Sequence, residues 1–226
     1  MKIRQLHPWN VSYHEAIEIQ RSLSPQVHLE KLPEISLVAG ADVSYSKESN
    51  TIWAGVVVLK YPCLDKIEEK WIKQTASFPY IPGLLSFREI PPLLEVICLL
   101  EHEPDLFFCD GQGIAHQRGM GLASHLGLII EKPTIGCAKS RLVGEYSELG
   151  PQKGSQSPLI YQGRQVGSVV RTRNRVRPLF VSPGYRVTIK EAVDMTLNCV
   201  RVYRIPEPIR QAHILVNRMR NRFGGV

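Results

Sequence analysis

The sequence predicts a mixed α/β fold in which helices pack on the faces of one β-sheet. Three strand-like segments come first, helical and strand-like segments then alternate, and the chain ends in two helices. Strands joined by short polar turns are typical of antiparallel neighbours, and strands separated by a helix are typical of parallel ones. The 226 residues can bury a sizeable core, and we expect residues 1–226 to form a single domain.

Each of the first elements is predicted from the spacing of its apolar residues, which is two in strands and about 3.6 in helices. In chain order these are strands at Ile35–Tyr45, Ile52–Leu59 and Glu68–Ala76, a helix at Phe87–Glu101, a strand at Asp105–Asp110, a helix at Gln117–Ile130 and a strand at Thr134–Ala138. The stretch from Gly144 to Ser157 is rich in Gly, Ser, Pro and Gln and indicates a linker-like loop.

The C-terminal part continues with a hairpin, a strand and the two final helices. The predicted segments are a hairpin of Leu159–Tyr161 and Gln165–Arg171 around Gln162-Gly163, a strand at Pro178–Val181, a helix from the capping-box pattern at Thr188–Glu191 to about Val200, and a helix at Pro206–Phe223. This order resembles the ribonuclease H-like fold, a mixed sheet shared by many metal-dependent nucleases, integrases and transposases. A generic mixed α/β domain is the alternative.

Composition narrows the class of protein. No apolar run reaches membrane-spanning length and no signal peptide is evident, so we expect a cytoplasmic protein without a membrane partner. The five cysteines are widely spaced, mostly lie in apolar runs and have no zinc-site spacing, which indicates small buried side chains in a reducing compartment.

The net charge of +7 is unevenly distributed. From Lys139 onward there are 16 basic residues against 5 acidic ones, whereas the preceding part is net acidic. This asymmetry fits a polyanionic partner, with the run Arg171–Arg177 and the terminal Arg218, Arg220 and Arg222 neutralising a nucleic-acid backbone. A solvated basic surface is the alternative.

Two aspartates stand in places where a cation is expected. Alternation along the first strand puts Gly40, Asp42 and Ser44 on one face, and a buried carboxylate in mid-strand is unfavourable unless it faces a cation. Asp110 ends an apolar strand and precedes a glycine-rich stretch, where it would repel a phosphate unless a metal ion lay between them. An exposed edge-strand aspartate and a plain Asp-Gly turn are the respective alternatives.

Glu89 is the third candidate acid. It lies in the first turn of the first predicted helix, where Ser86–Glu89 also matches a capping box, so a purely local role is the alternative. The three acids occupy the first strand, the first helix and the fourth strand, which are the positions that ribonuclease H-like enzymes use for their metal ions.

Four motifs then carry a specific resemblance. They are Gly40–Tyr45 (GADVSY), Pro79–Glu89 (PYIPGLLSFRE), Asp110–His116 (DGQGIAH) and Gly136–Ser140 (GCAKS). In this order they resemble the endonuclease V family, over most of the chain. The resemblance implies a DNA-repair endonuclease that nicks the second phosphodiester 3′ of a deaminated base such as hypoxanthine, leaving 3′-hydroxyl and 5′-phosphate ends. Mg²⁺ is the expected cofactor, with Mn²⁺ as an acceptable substitute.

The resemblance also assigns roles to residues. The predicted catalytic residues are Asp42, Glu89, Asp110, Lys139 and His213, of which Asp42, Asp110 and Glu89 are the predicted metal ligands. A stiff segment of Pro79, Tyr80, Ile81 and Pro82 is the predicted wedge that parts stacked bases. The predicted pocket for the flipped base is formed by Gly83, Leu85, Gly111, Gly121 and Gly136. His116 is a further possible site residue, and a structural role for each histidine and glycine stays open.

The predicted partner is DNA that contains deaminated bases, bound by a monomer. The sequence leaves two alternative functions open. An endonuclease of the same fold could act mainly on inosine in RNA or on branched DNA, since no residue is a clear reader of the 2′-hydroxyl. A non-catalytic nucleic-acid-binding module would keep the fold without the reaction.

Overall fold

The structure, a computed structural model, describes residues 1–46 and 49–223 and is organised around one mixed β-sheet. In this part of the chain the strand order is β3-β2-β1-β4-β5-β8-β7-β6. The strands are β1 (Leu37–Tyr45), β2 (Thr51–Lys60), β3 (Lys66–Thr75), β4 (Leu106–Cys109), β5 (Thr134–Ala138), β6 (Gln156–Tyr161), β7 (Arg164–Val170) and β8 (Leu179–Tyr185). The helices are α1 (Tyr13–Leu23), α2 (Leu85–Cys98), α3 (Leu122–Ile130), α4 (Ile189–Asn198) and α5 (Glu207–Phe223).

The predicted mixed α/β fold is confirmed, and most elements agree with the predicted bounds within a few residues. The first three strands form an antiparallel meander, while β1, β4 and β5 are parallel to one another. The capping box at Thr188 opens α4 as expected. Gln162 and Gly163 turn the hairpin of β6 and β7 with φ of 51° and 74°, the left-handed geometry of a tight hairpin.

Two expectations for the helices were wrong. The sequence reasoning assigned nothing to α1, which begins at a capping box of Ser12 and Glu15. Ser86–Glu89 is not a capping box, because α2 already begins at Leu85 and Ser86 lies inside it. The hydroxyl of Ser86 instead contacts the imidazole of His125 on α3, so a long-range partner replaces the local one.

The two faces of the sheet bury separate hydrophobic cores, with α4 and α5 on one face and α2 and α3 on the other. The predicted alternation along β1 is confirmed by its contacts with α5: Ser44 bonds Asn217, and Gly40 lies against the Pro208 carbonyl. A Cβ on Gly40 would come within 1.9 Å of that oxygen. The glycine therefore allows α5 to lie directly on β1.

One end of the sheet collects the residues predicted to act in catalysis, and we call it the site end. Ala41 pairs with Cys109, which in turn pairs with Gly136, so the chain leaves β1, β4 and β5 at the same end. Because β8 runs antiparallel to β5, with Phe180 opposite Ala138, the connection from β7 to β8 also lies there.

Two further expectations concern the cysteines and membranes. All five cysteines are free; three are buried as expected, whereas Cys63 and Cys98 are exposed because they follow β2 and end α2 at the surface. Within the described ranges, no helix combines the length and apolarity needed to cross a membrane.

A histidine pair joins the N-terminal segment to the core. The Pro8 carbonyl, which can only accept, lies 2.8 Å from His7 Nδ1 and therefore fixes the proton on that nitrogen. His7 Nε2 then accepts from His125 Nε2 at 2.8 Å, and His125 Nδ1 accepts from the Ser86 hydroxyl at 3.0 Å. Burial lowers the pKa of His125 to about 3, so both rings pack in the neutral form.

We predict that this buried histidine makes folding sensitive to acid. The unfolded chain gains a proton at His125 near pH 6.5, whereas the folded chain resists it down to about pH 3, so stability is complete above pH 6.5 and falls as the pH drops. Relative to His125→Asn, the free energy of unfolding of the native chain should fall by up to about 1.4 kcal/mol per pH unit between pH 6 and 4.

Denaturant titrations at several pH values measure this difference. His14→Asn, at an exposed position of α1, is the matched control and should track the native chain. Parallel curves for the native chain and His125→Asn would contradict the prediction.

Candidate active site

Three potential metal ligands meet at the site end of the sheet. Asp42 near the end of β1 and Asp110 just after β4 are neighbours, because the parallel register pairs the residues that precede them. His213 reaches them from α5, and one ligand atom from each of the three lies within 4.8 Å of the others. Two carboxylates and an imidazole form a donor set that suits a divalent cation. The geometry therefore fits a metal site at these residues.

Glu89 lies behind this trio, with only 7% of the residue exposed. It is not in the first turn of α2 as predicted, because the helix already begins at Leu85. It does not belong to the group of ligand atoms within 4.8 Å, so the structure brings His213 rather than Glu89 directly against the two aspartates. Burial, together with the negative charges of Asp42 and Asp110, raises the pKa of Glu89 well above its usual value. A cation beside these acids would relieve that repulsion.

Lys139 is a positively charged side chain that lies beside the acids. It follows β5, lies at the surface and forms an ion pair with Asp110. Burial and the charge of Asp42 raise the pKa of Asp110, while Lys139 acts in the opposite direction. The structure therefore places Lys139, one of the predicted catalytic residues, beside the acids.

A chain of hydrogen bonds orients His213. Its Nδ1 donates to Asp42 Oδ2 at 2.8 Å, and in the neutral form its Nε2 accepts from Asn217 Nδ2 at 3.0 Å. The Asn217 oxygen accepts from the Ser44 hydroxyl at 3.3 Å, which ties the network back to β1. The bond to Asp42 raises the pKa of His213, and slightly more than half of its side chain is exposed. The imidazole is therefore held in place yet open to a substrate.

A cavity of about 570 Å³ opens directly beside the acids. Of the predicted site residues, it is lined by Asp42, Glu89, Asp110, Lys139, His213, Tyr80, Ile81, Pro82, Gly83, Leu85, Gly111, Gly121 and His116. Pro79 and Gly136 do not line it. Gly136 instead lies under the glycine-rich loop, where a Cβ would come within 2.4 Å of the Gly113 nitrogen.

The predicted wedge is a loop at the rim of this cavity. Tyr80 is 59% exposed at its tip, and its ring centroid lies 6.4 Å from that of Tyr45. The buried Arg88 supports the loop at two points. Its guanidinium contacts the Tyr45 ring, and it donates to the Phe78 carbonyl, just before the loop, at 2.6 Å. An exposed aromatic ring on a supported loop is suited to inserting between bases.

One carbonyl anchors the C-terminal end of the wedge. Gly83, at a φ of 80°, points its oxygen at three side-chain donors: Gln20 at 3.1 Å, His116 at 3.0 Å and Arg118 at 2.9 Å. His116 Nδ1 accepts from the Arg118 backbone, so both of its nitrogens are engaged. Burial lowers the pKa of His116 to about 4, and it is neutral at pH 7. The hydrogen bonds of His116 therefore indicate that it supports the wedge.

Several residues of the site escaped the sequence reasoning. Gln20 on α1 lines the cavity, and its amide also donates to the Met120 carbonyl and accepts from Arg118 at 2.6 Å. Gln112 holds the loop after Lys139 by donating to the Ser140 carbonyl at 3.0 Å. The sequence offered no signal for Gln20, because the partners of its side chain lie about 60 to 100 residues away along the chain.

The mixed sheet and the acids that meet at its site end define a nuclease of the ribonuclease H-like class. Comparisons with known proteins give the family. The sequence model described as Endonuclease V matches residues 19–214. Endonuclease V of Dehalococcoides mccartyi is 50% identical over 215 residues, which are 95% of this chain and 96% of that protein.

Comparison with solved structures gives the same family. Endonuclease V of Streptomyces avermitilis is 39% identical, with a TM-score of 0.91 and full coverage of both chains. The Ciona intestinalis enzyme, solved with DNA containing an inosine followed by a ribo-adenosine, is 29% identical with a TM-score of 0.83, over 92% of this chain and 98% of that chain. This chain belongs to the endonuclease V family. It is accordingly a nuclease, which excludes the non-catalytic binding module.

We predict that Gln20 stabilises the wedge anchor. Gln20→Leu removes two donors to backbone carbonyls and leaves the Arg118 Nε without its acceptor, at a position that is 1% exposed. Loss of such buried partners should lower the free energy of unfolding by about 2–3 kcal/mol. Denaturant titration measures the change, with Gln26→Leu at an exposed position as the control. Equal losses in the two variants would refute the anchor.

Proposed function

We propose that this chain is a DNA-repair endonuclease that nicks a strand near a deaminated base, hypoxanthine foremost. The observation that carries the proposal is the juxtaposition of a 570 Å³ cavity, an exposed wedge and the group of Asp42, Asp110 and His213. Enzymes that read a base outside the stack need a pocket beside their reactive centre. The Ciona intestinalis relative was solved with inosine-containing DNA, which supports the same substrate class here.

The cavity wall supports recognition of a flipped purine through backbone groups. Gly83, Leu85, Gly111 and Gly121 line it, and the three glycines carry no side chain, so their backbone atoms are available to a flat ring. Hypoxanthine carries a carbonyl and a ring N–H where adenine carries an amine and a bare nitrogen. Fixed backbone donors and acceptors can therefore distinguish the two bases, because a mismatched pair would leave buried polar groups unpaired.

Asp42 and Asp110 would hold Mg²⁺, or Mn²⁺ in its place, through their carboxylate oxygens, with Glu89 adding negative charge from behind. A bound divalent ion would supply charge stabilisation at the scissile phosphate and a more acidic water. The remaining roles, at the phosphate and at the attacking water, belong to side chains of the protein. Lys139 is close enough to Asp110 to neutralise a phosphate at the same place. Nε2 of His213 can position or deprotonate the attacking water when that water takes the place of Asn217.

The position of the cut is carried over from the family resemblance. The cavity supports it only in that the residues proposed to hold the base and the acids line the same space. We propose cleavage of the second phosphodiester 3′ of the lesion, leaving 3′-hydroxyl and 5′-phosphate ends without excision of the base. We also propose that residues 1–226 act as one domain and as a monomer.

A second candidate substrate is inosine within RNA. The ribo-adenosine next to the inosine in the Ciona intestinalis complex makes this comparison necessary. Matched oligonucleotides that contain either deoxyinosine or inosine separate the two, by the ratio of their kcat/KM values. Preferential cleavage of the ribo-oligonucleotide would replace the DNA substrate while keeping the same site.

We expect Asp110→Asn to abolish nicking of an inosine-containing duplex in the presence of Mg²⁺. The isosteric change removes a charged ligand, and charge stabilisation by a metal ion contributes several kcal/mol, so the single-turnover rate should fall by at least about a hundredfold. Binding of the same duplex without Mg²⁺ should persist. Asp194→Asn, on the exposed side of α4, is the control, and near-native nicking by Asp110→Asn would remove the metal assignment.

We expect Tyr80→Ala to weaken recognition of the lesion rather than binding of Mg²⁺. Stacking of one aromatic ring on a base contributes about 1–3 kcal/mol, so affinity for the inosine duplex should fall roughly tenfold while affinity for undamaged DNA changes little. Fluorescence anisotropy measures both affinities, with Tyr161→Ala on the β6–β7 hairpin as the control. Unchanged affinity for the inosine duplex would eliminate the wedge.

A further inference from the structure

A dense concentration of positive charge lies outside the cleft, on the connection from β7 to β8. Four arginines, Arg171, Arg173, Arg175 and Arg177, alternate along it. Val170 pairs with Leu179 across this connection, and Phe180 in turn lies opposite Ala138, the residue before Lys139. The connection is therefore at the site end of the sheet, two strand positions from Asp110.

The four arginines do not have the same role. Arg171 is used internally, since its guanidinium donates to the carbonyls of Gly150 and Val176. Arg173, Arg175 and Arg177 are exposed, and among the described residues none of them forms an ion pair. Three like charges within five residues repel one another, and an anionic partner would relieve that repulsion.

The segment between α4 and α5 extends this charged surface. The Thr172 hydroxyl donates to the Arg204 carbonyl at 2.7 Å, and the Arg204 guanidinium donates to the Arg177 carbonyl at 3.1 Å. These bonds fix the two connections against each other. The same segment exposes Arg201 and the ring of Tyr203, which is 56% exposed.

This surface is continuous with the candidate active site. The Tyr203 ring packs 4.7 Å from the Arg210 guanidinium, and Arg210 lies one helical turn before His213 on α5. His213 in turn bonds Asp42. A chain of contacts therefore leads from the arginines to the acids through Arg210, which is half-buried and paired with Glu207. The arginines at the other end of α5 differ, because Arg218 is paired with Glu69 and Arg222 stacks on Phe223.

We propose that Arg173, Arg175, Arg177 and Arg201, with Tyr203, form an arginine surface that binds the sugar-phosphate backbone beyond the nucleotides held in the cleft. The inference rests on the proposed nuclease function and adds a second, sequence-independent contact to it. Two strand spacings are about 10 Å, and nucleotides rise about 3.4 Å each, so the contacted phosphates lie roughly three nucleotides from the one that is cut. Arginine suits this role because its planar fork matches phosphate oxygens.

The test uses the triple variant Arg173→Gln, Arg175→Gln, Arg177→Gln. Each lost phosphate contact lowers the slope of log affinity against log salt by about 0.9, so the slope for a long inosine duplex without Mg²⁺ should fall by about 2–3. The KM for nicking should rise, while the single-turnover rate at saturating DNA stays native and reports an intact fold. The triple change to lysine keeps the charge and should restore the slope.

A matched triple at the opposite end of the sheet, Lys60→Gln, Lys132→Gln, Lys190→Gln, removes the same charge and should leave the slope unchanged. Duplexes shortened on either side of the lesion locate the contact. Shortening on one side should lower the affinity of the native chain to that of the arginine triple for the full duplex. The same shortening should not lower the affinity of the triple any further.

Equal slopes for the arginine triple, the lysine control and the native chain would overturn the arginine surface. That outcome leaves the proposed function intact if the native chain still nicks at inosine. Failure of the native chain to nick any inosine substrate would instead reject the proposed function, and a reduced salt slope in the triple would then still report the surface itself.

Discussion

Mutual repulsion among Asp42, Asp110 and Glu89 is the constraint on which the rest of the site depends. Three carboxylates converge at the end of two buried parallel strands, and burial raises the pKa of Glu89 and Asp110. Such an arrangement costs stability, and it persists because the strands that carry the aspartates are fixed by the sheet. The surrounding structure supplies partial compensation: Lys139 pairs with one aspartate and His213 with the other.

The packing on both faces of the sheet serves this convergence. On one face, Gly40 lets α5 lie against β1, so that His213 reaches Asp42 from a helix rather than from a mobile loop. On the other face, α2 carries Glu89 toward the acids and Arg88 toward the wedge. Neighbouring residues of one helix thus contact the acidic group and the proposed wedge, and displacement of α2 would disturb both.

The sequence predicted the parts of this arrangement that follow from local periodicity. Alternation placed Asp42 on the face of β1 that meets α5, and apolar spacing located the sheet and most helices. It failed where a side chain is satisfied by a distant residue. Ser86 matched a local capping pattern but bonds His125, and Gln20 gave no sign that it reaches the wedge some 60 residues later. Contacts of that kind depend on the assembled fold, which no short pattern encodes.

The proposed recognition and cleavage would rely on different physical properties of adjoining walls. The wall proposed to hold the base includes backbone and neutral groups, and His116 is kept neutral by burial, so it neither attracts nor repels charge. The phosphate side concentrates charged groups that can respond to a cation and a phosphate. The Asp110-Gly111 junction lies between the two. Because Asp110 and Gly111 directly follow β4, a single strand would set the distance between the proposed base pocket and the proposed metal ligands.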